Sequence, residues 1–374
     1  MALRGWVTLP GASAAMLLAY VIAGAPSGRA ADAPGWDPKA AARYLDGRES
    51  EWQAWDRPQK DRGTLCVSCH TQATYAFARP VLRRMLGETE MPVPERLMLA
   101  SIQKRIKLWP AMQPFYSDIS SGAGKEVEAH NAEAVLNAWM LESYDQGAAT
   151  LSDPARAAFD NAWALQSKDG PDAGSWVWQN FNLAPWEGPE SRYHWAALMA
   201  VAVGRAPGDY RHDSKIAPNL ALLTSYLRSH YEKEVRLNKI VALWASKWFP
   251  EVVAPNQRED LLKTLRGLQQ PDGGWSDTDL GPWTRRDTSQ AKPGSDGYAT
   301  AIIVLVLQEI GETPASDPSL ARGLDWLVTH QDKASGAWVA WSVNKDRDPK
   351  SMDGRFMSDA ATAYAVLALT EAGR

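Results

Sequence analysis

The chain has 374 residues, of which 40 are basic and 44 acidic, giving a formal charge of −4; it holds no cationic surplus for a phosphate backbone, and nucleic acid is excluded as an expected partner. Apolar and aromatic types make up 45% of the chain and include 18 tryptophans, enough to bury a sizeable core in one large domain or two smaller ones.

Residues 1–30 begin with Arg4, continue through an apolar run over residues 12–24 and reach Gly28-Arg29-Ala30. That order is the anatomy of a secretory leader cleaved after Ala30. The alternative is an uncleaved anchor, since residues 5–26 approach the ~20 apolar residues of a spanning helix. Either way the body is expected outside the cytoplasm, in a periplasmic or exported setting, with a membrane involved only if the leader is retained. Loss of Arg4 and Arg29 leaves 38 basic against 44 acidic residues, a net charge of −6. Beyond the leader, even the apolar run over 299–310 suits only a buried helix.

The region 38–145 contains Cys66-Val67-Ser68-Cys69-His70, and these are the only two cysteines. The C-x-x-C-H pattern resembles the haem-attachment site of c-type cytochromes. Two thiols three residues apart reach the two vinyl groups of a porphyrin, and the adjacent imidazole then lies over the iron. The resemblance implies one covalent haem c on Cys66 and Cys69, with His70 as the proximal iron ligand. The competing reading is a Cys66–Cys69 redox disulfide, which calls for a βαβ setting that this strand-poor sequence does not offer. Candidates for the sixth iron position are Met85, Met91, Met98, Met112 and His130. Met112 is the preferred one, because Trp109-Pro110-Ala111-Met112-Gln113-Pro114 is a proline-bounded loop that can approach the iron. Met85 and Met98 fall on apolar helical faces and read as core. An open sixth position is the other possibility.

From residue 155 to 374 the sequence repeats itself. One unit runs Leu268-Gln269-Gln270-Pro271-Asp272-Gly273-Gly274-Trp275, then Ser295-Asp296 and an apolar, alanine-rich run ending at Gly311. A second runs His330-Gln331 to Trp338, then Ser358-Asp359 and a run ending at Gly373. Trp275 to Asp296 and Trp338 to Asp359 are each 21 residues apart, and both landmarks recur after 63 residues. A looser copy passes through Gln166, Trp176 and Glu190 to Gly204. Each unit reads as a helical hairpin: an amphipathic first helix, a Gly/Trp loop, and an apolar second helix with an acidic start and a glycine stop. Asp296, Asp359 and Glu190 are therefore expected to cap second helices.

The Gln-x-x-x-Gly-x-Trp loop resembles the repeat of the squalene-hopene cyclase and protein prenyltransferase superfamily, which implies an all-α fold, an α/α toroid of hairpins with the apolar helices inside. The catalytic signatures of that superfamily do not carry over. Asp277-Thr278-Asp279-Leu280 lacks the third acid of the cyclases and reads as a solvated or capping loop, and a zinc site would need a cysteine already committed to haem. Tyr193, His194 and Trp195 are candidates for the ring's interior. Trp244 and Trp248, on an expected helix over 235–249, are expected to pack between hairpins.

Upstream of the haem motif, Ala42-Arg43-Tyr44-Leu45-Asp46 repeats Ala321-Arg322-Gly323-Leu324-Asp325 of the last hairpin. Downstream, Gln72 to Gly87 and Asp296 to Gly311 are both 15 residues. The haem motif thus takes the place of the Gln/Trp loop in an N-terminal hairpin, and residues 31–374 are expected to form one toroid. A separate small cytochrome domain over 33–145 is the rival arrangement. The expected function is electron transfer by an exported monohaem cytochrome to a redox partner protein. The alternatives are a haem oxidoreductase holding an apolar, isoprenoid- or quinone-like small molecule in the ring, or a haem-based sensor of a small ligand. N-terminal sequencing of the exported protein should read Ala31 or a residue close to it; recovery of intact Met1 from membranes would establish the anchor instead.

Overall fold

The computed structural model describes residues 35–112 and 122–374. The leader and its cleavage site lie outside the described residues. The chain is all-α, with helices α1 (Pro38–Ala54), α2 (Gln72–Met85), α3 (Val93–Lys107), α4 (Gly122–Tyr144), α5 (Asp153–Leu165) and α6 (Ser191–Arg205). These are followed by α7 (Ala217–His230), α8 (Arg236–Ala245), α9 (Pro255–Leu268), α10 (Gly297–Glu309), α11 (Pro318–Thr329) and α12 (Phe356–Glu371). A two-residue hairpin, β1 (Gln59–Lys60) and β2 (Thr64–Leu65), is the one sheet among the described residues. No described helix is long and apolar enough to cross a membrane.

Burial divides the helices into two kinds, and the division follows their sequences. Odd-numbered helices bury a single stripe: Leu261, Leu262 and Leu265 in α9, or Leu320, Leu324 and Leu327 in α11. That is the three-or-four spacing of a helix lying against a core with its other face in water. Even-numbered helices are buried all round, as in Gly297–Leu307 of α10 and Met357–Leu369 of α12. Their alanines let neighbours approach closely. Helix α2 packs on α4, α4 on α6, α6 on α8, α8 on α10, α10 on α12, and α12 on α2. Between α2, α4 and α8 the space is filled by three rings, Phe77, Trp139 and Trp244, with centroids 4.6 to 6.1 Å apart.

The repeat acts as a joint between hairpins. The indole N–H of Trp176, Trp275 and Trp338 donates to a carbonyl in the last turn of the preceding odd helix: Ala162 (2.6 Å), Leu265 (2.7 Å) and Leu327 (2.8 Å). The amide of Gln166, Gln269 and Gln331 donates both to its own glycine loop, at Gly174, Gly273 and Gly336, and to the start of the next odd helix. Those second acceptors are Asn219 in α7, Ser319 in α11 and Asp37, the N-cap of α1. The three glycines have φ of +102°, +96° and +83°, and a Cβ on them would lie 2.2, 2.9 and 2.4 Å from the carbonyls of Leu222, Arg322 and Ala40. Only glycine allows that turn and that approach. The last joint therefore grips the first helix of the chain, where Trp36 also packs on Trp338 at 5.8 Å.

Three expectations change. Asp296 caps α10, accepting from Tyr298 N–H (2.8 Å) and Ala299 N–H (3.0 Å), but Asp359 lies inside the first turn of α12, and Glu190 occupies a cap position without capping. The closing of α12 onto α1 gives Asp359 stronger partners than its own backbone. Asp277 is buried rather than solvated, with its N–H donating to Asp296, and burial pushes both carboxyls up. Met85 is 40% exposed rather than core, whereas Met98 is fully buried.

Replacing Gly336 by Ala should cost about 1–2 kcal/mol for the left-handed backbone and about 1–3 kcal/mol more for the clash with α1. Gly311→Ala, with φ +94° but open space around it, should show the first cost only. Denaturant midpoints of the two variants test the ordering.

Candidate haem site

The Cys66–His70 motif lies in the loop 55–71 that joins α1 to α2. Pairing of β1 with β2 turns the chain back, and the Pro58 carbonyl accepts from Cys66 N–H (2.7 Å). The Trp52 indole at the end of α1 donates to the Cys66 carbonyl (3.2 Å). Ser68 supplies the start of α2: its hydroxyl accepts from the N–H groups of Thr71 (3.1 Å) and Gln72 (2.9 Å), while the Gln72 side chain accepts from Ser68 N–H (3.4 Å). The exchange between Ser68 and Gln72 is reciprocal, as in a capping box, but it spans one residue more and starts ahead of the N-cap Thr71. The Gln72 amide also donates to Glu49 (2.8 Å), as does Gln53 (2.7 Å). Burial pushes Glu49 up to about 8, so it stands protonated at neutral pH.

His70 is held on several sides. Phe356 stacks on its ring at 3.5 Å and Trp52 meets it edge-on at 5.5 Å. Its Nδ1 lies 3.0 Å from the Thr71 hydroxyl, which donates to Asp359 Oδ2 (2.7 Å). Asp359 also accepts from Arg48 Nε (2.7 Å), Arg48 Nη2 (2.9 Å) and the Tyr44 hydroxyl (2.8 Å). A hydroxyl has one hydrogen, and Thr71 gives it to Asp359. Nδ1 must then carry the proton that bridges to Thr71, which leaves the lone pair on Nε2 for a metal. Burial, with Arg48 and Arg347 nearby, pushes His70 well below its ordinary pKa, so the imidazole is neutral and able to ligate.

Cys66, Cys69 and His70 share the wall of one cavity of about 850 Å³. That volume suits a cofactor, whose pockets run about 300–1,000 Å³. Four hairpin loops contribute to it: 55–71, then Gln179, Phe181, Leu183 and Glu187, then Arg286, and finally Lys345, Arg347 and Asp353. Hydrogen bonds knit these loops together, Asn344 to the Ala184 carbonyl (2.8 Å) and Arg286 N–H to the Asn344 carbonyl (2.8 Å). The lining has five basic side chains, Arg57, Lys60, Arg286, Lys345 and Arg347, against the acidic Asp56, Glu187 and Asp353. The excess of two cations matches the two propionates of a haem.

The residues therefore fit the group. Burial pushes the Cys66 thiol up to about 11 and Cys69 well above its ordinary value. A redox or nucleophilic cysteine pair needs the opposite shift, towards thiolate. Among the described residues no three His, Cys, Asp or Glu side chains converge to hold a metal ion by themselves.

The preferred sixth ligand is not at this cavity. Met112 is buried against Ala129, Leu108 and Trp109, and His130 packs beside Trp109 at 4.6 Å. Met357 does adjoin His70, across a smaller cavity of about 60 Å³ shared with Trp186 and Glu187. Glu187, Arg347, Phe356 and Met357 escaped the sequence reading, because nothing in their local sequence marks them; they reach His70 only through the fold. Likewise His194 is a core residue, wholly buried and pushed down to about 4 by that burial. Compared with known proteins, the chain matches no family model and no curated protein.

Glu49 makes stability depend on pH. Its folded pKa lies above the ordinary carboxyl value, so the folded state keeps a proton that the unfolded chain loses as pH rises. This contribution is favourable below about pH 4.3 and declines by about 1.4 kcal/mol per pH unit until Glu49 itself ionises. Glu49→Gln should flatten that decline between pH 5 and pH 8, measured as the difference in unfolding free energy between variant and parent.

Proposed function

We propose that the protein is an exported monohaem c-type cytochrome that transfers electrons to a redox partner protein. One haem would be held by thioethers to Cys66 and Cys69 with His70 Nε2 on its iron. The observation that carries this reading is the meeting of both thiols and a neutral, correctly tautomeric histidine on one cofactor-sized, cation-rich cavity. Haem c supplies an iron that cycles between Fe(III) and Fe(II) by single electrons. The chain's own residues do the rest: Phe356 stacks on His70, Trp52 packs against it edge-on, and the cationic lining would neutralise the propionates. Exposed residues at the cavity wall, Arg57 and Arg286 among them, put its mouth within reach of a partner.

We also read the fold as an α/α toroid, with α2, α4, α6, α8, α10 and α12 as its inner ring. Support comes from the succession of contacts that returns from α12 to α2, and from the last joint gripping Asp37. That the described residues from 35 onward belong to one compact unit favours a haem loop built into the ring over a separate cytochrome domain. The haem would then sit at the end of the ring where the hairpin loops gather.

A second reading, binding of a small ligand at an open iron position, draws on Glu187. Burial pushes this carboxyl up to about 7 beside His70's cavity, where it can hold or release a proton. A reduced haem indifferent to carbon monoxide favours electron transfer, and one that binds it favours the second reading. An apolar substrate inside the ring gains no support, since aromatic rings fill the space between α2, α4 and α8.

Coexpression with a haem-attachment system should yield one haem per chain that survives denaturation and acid-acetone extraction. Cys66→Ala or Cys69→Ala should weaken attachment, whereas His70→Ala should leave haem bound and change the visible spectrum. Haem that extracts freely from the parent would falsify the assignment.

A further inference from the structure

We propose that Asp359 is a positioning residue for the iron, acting through the Thr71 hydroxyl to fix the His70 tautomer and to hold the reduction potential down. The inference rests on the cytochrome reading and extends it to residues outside the attachment motif.

The geometry is a short relay: Asp359 Oδ2 accepts from Thr71 Oγ1 at 2.7 Å, and Thr71 Oγ1 lies 3.0 Å from His70 Nδ1. Asp359, Arg48 and Thr71 are at most 2% exposed, so the charge is felt through a medium of low polarity. Four hydrogen bonds saturate the carboxylate, two from Arg48 and one each from Tyr44 and Thr71. The first three come from α1 and fix its orientation; the fourth points it at the haem ligand. A buried ion pair is costly to keep, and an apolar replacement would close α1 on α12 equally well. Its siting one hydroxyl away from His70 is what asks for a function.

The physical effect has a definite sign. An Nδ1–H that donates to a hydroxyl backed by a carboxylate leaves more electron density on Nε2, making the imidazole a stronger donor. A stronger donor stabilises Fe(III) over Fe(II), so the potential falls. Nothing in this relay transfers a proton; it holds one at Nδ1.

Thr71→Val keeps the side chain's shape and removes both halves of the relay, while leaving the Arg48–Asp359 pair in place. It should raise the midpoint potential by about 59 mV, a tenfold change in a one-electron reduction constant. Asp359→Asn should move it the same way, and Thr71→Ser, which restores the hydroxyl, should stay with the parent. A cofactor-free readout accompanies this: in the Cys66→Ala/Cys69→Ala chain, nitrogen-15 NMR should find His70 protonated on Nδ1, and adding Thr71→Val should populate the Nε2–H form. If Thr71→Val fails to fold, the potential of Asp359→Asn decides the sign. Covalent haem with an unmoved potential in a folded variant overturns this proposal alone and reduces the network to a clasp between helices. Haem that extracts freely from the parent overturns the cytochrome reading, and this proposal with it.

Discussion

The clasp between Gln331 and Asp37 is the interaction on which the rest of the structure depends. Gln331 accepts from Asp37 N–H (2.6 Å) and donates to its carbonyl (2.9 Å), across 294 residues of chain. The same joint links α5 to α7 and α9 to α11 in sequence order; here it links α11 to α1. With α1 so placed, α12 packs on both α1 and α2. Asp359 then meets Arg48 and Thr71, Phe356 meets His70, and the loop before α12 completes the cavity wall. Loop closure over such a separation costs only slightly more entropy than over a short one, because the cost grows with the logarithm of length.

The loop of the first hairpin is bonded to its helix differently from the repeat loops. In the repeat loops a tryptophan of the loop donates to a carbonyl of the odd helix. In the loop 55–71 the direction is reversed: Trp52 of α1 donates to the carbonyl of Cys66. The hairpin also keeps its internal tie. Asp46 of α1 accepts from Arg79 of α2 (2.8 Å), as Asp325 of α11 accepts from Arg374 beyond the end of α12 (2.6 Å). What is particular to this loop is Ser68, whose hydroxyl accepts from the first N–H groups of α2 in the turn that also carries Cys69 and His70.

Charge is buried unevenly, and the unevenness follows the site. Arg48 with Asp359 and Arg105 with Glu133 are ion pairs almost fully removed from water, the latter also tied to Thr64 of the loop 55–71 (2.7 Å). Such pairs contribute little net stability against apolar replacements, yet removing one partner leaves a buried charge uncompensated at a cost of about 3–5 kcal/mol. They therefore fix position more than they add stability, and both are tied to the loop 55–71 that carries Cys66, Cys69 and His70.

The sequence by itself determined whatever depends on residues near one another along the chain. Cys66, Cys69 and His70 are set by the covalent spacing of a single turn, and the Trp-to-Asp spacings set hairpins whose helices the structure contains. The cap at Asp296 was legible for the same reason, since an N-cap reads only the next three residues. Asp359 shows where that legibility ends. Its repeat position matches Asp296, but a residue 288 positions away, Thr71, takes its carboxylate out of the capping role. Met112 shows the converse: a proline-bounded loop marks a possible ligand, but its packing against Ala129 keeps it from His70's cavity. Glu187, Arg286, Lys345 and Arg347 reach that cavity from three other hairpins, in loops with no local pattern to distinguish them. Only the tertiary structure decided their meeting, because proximity between distant segments is set by which helix faces bury together, and side-chain periodicity specifies the faces without specifying their partners.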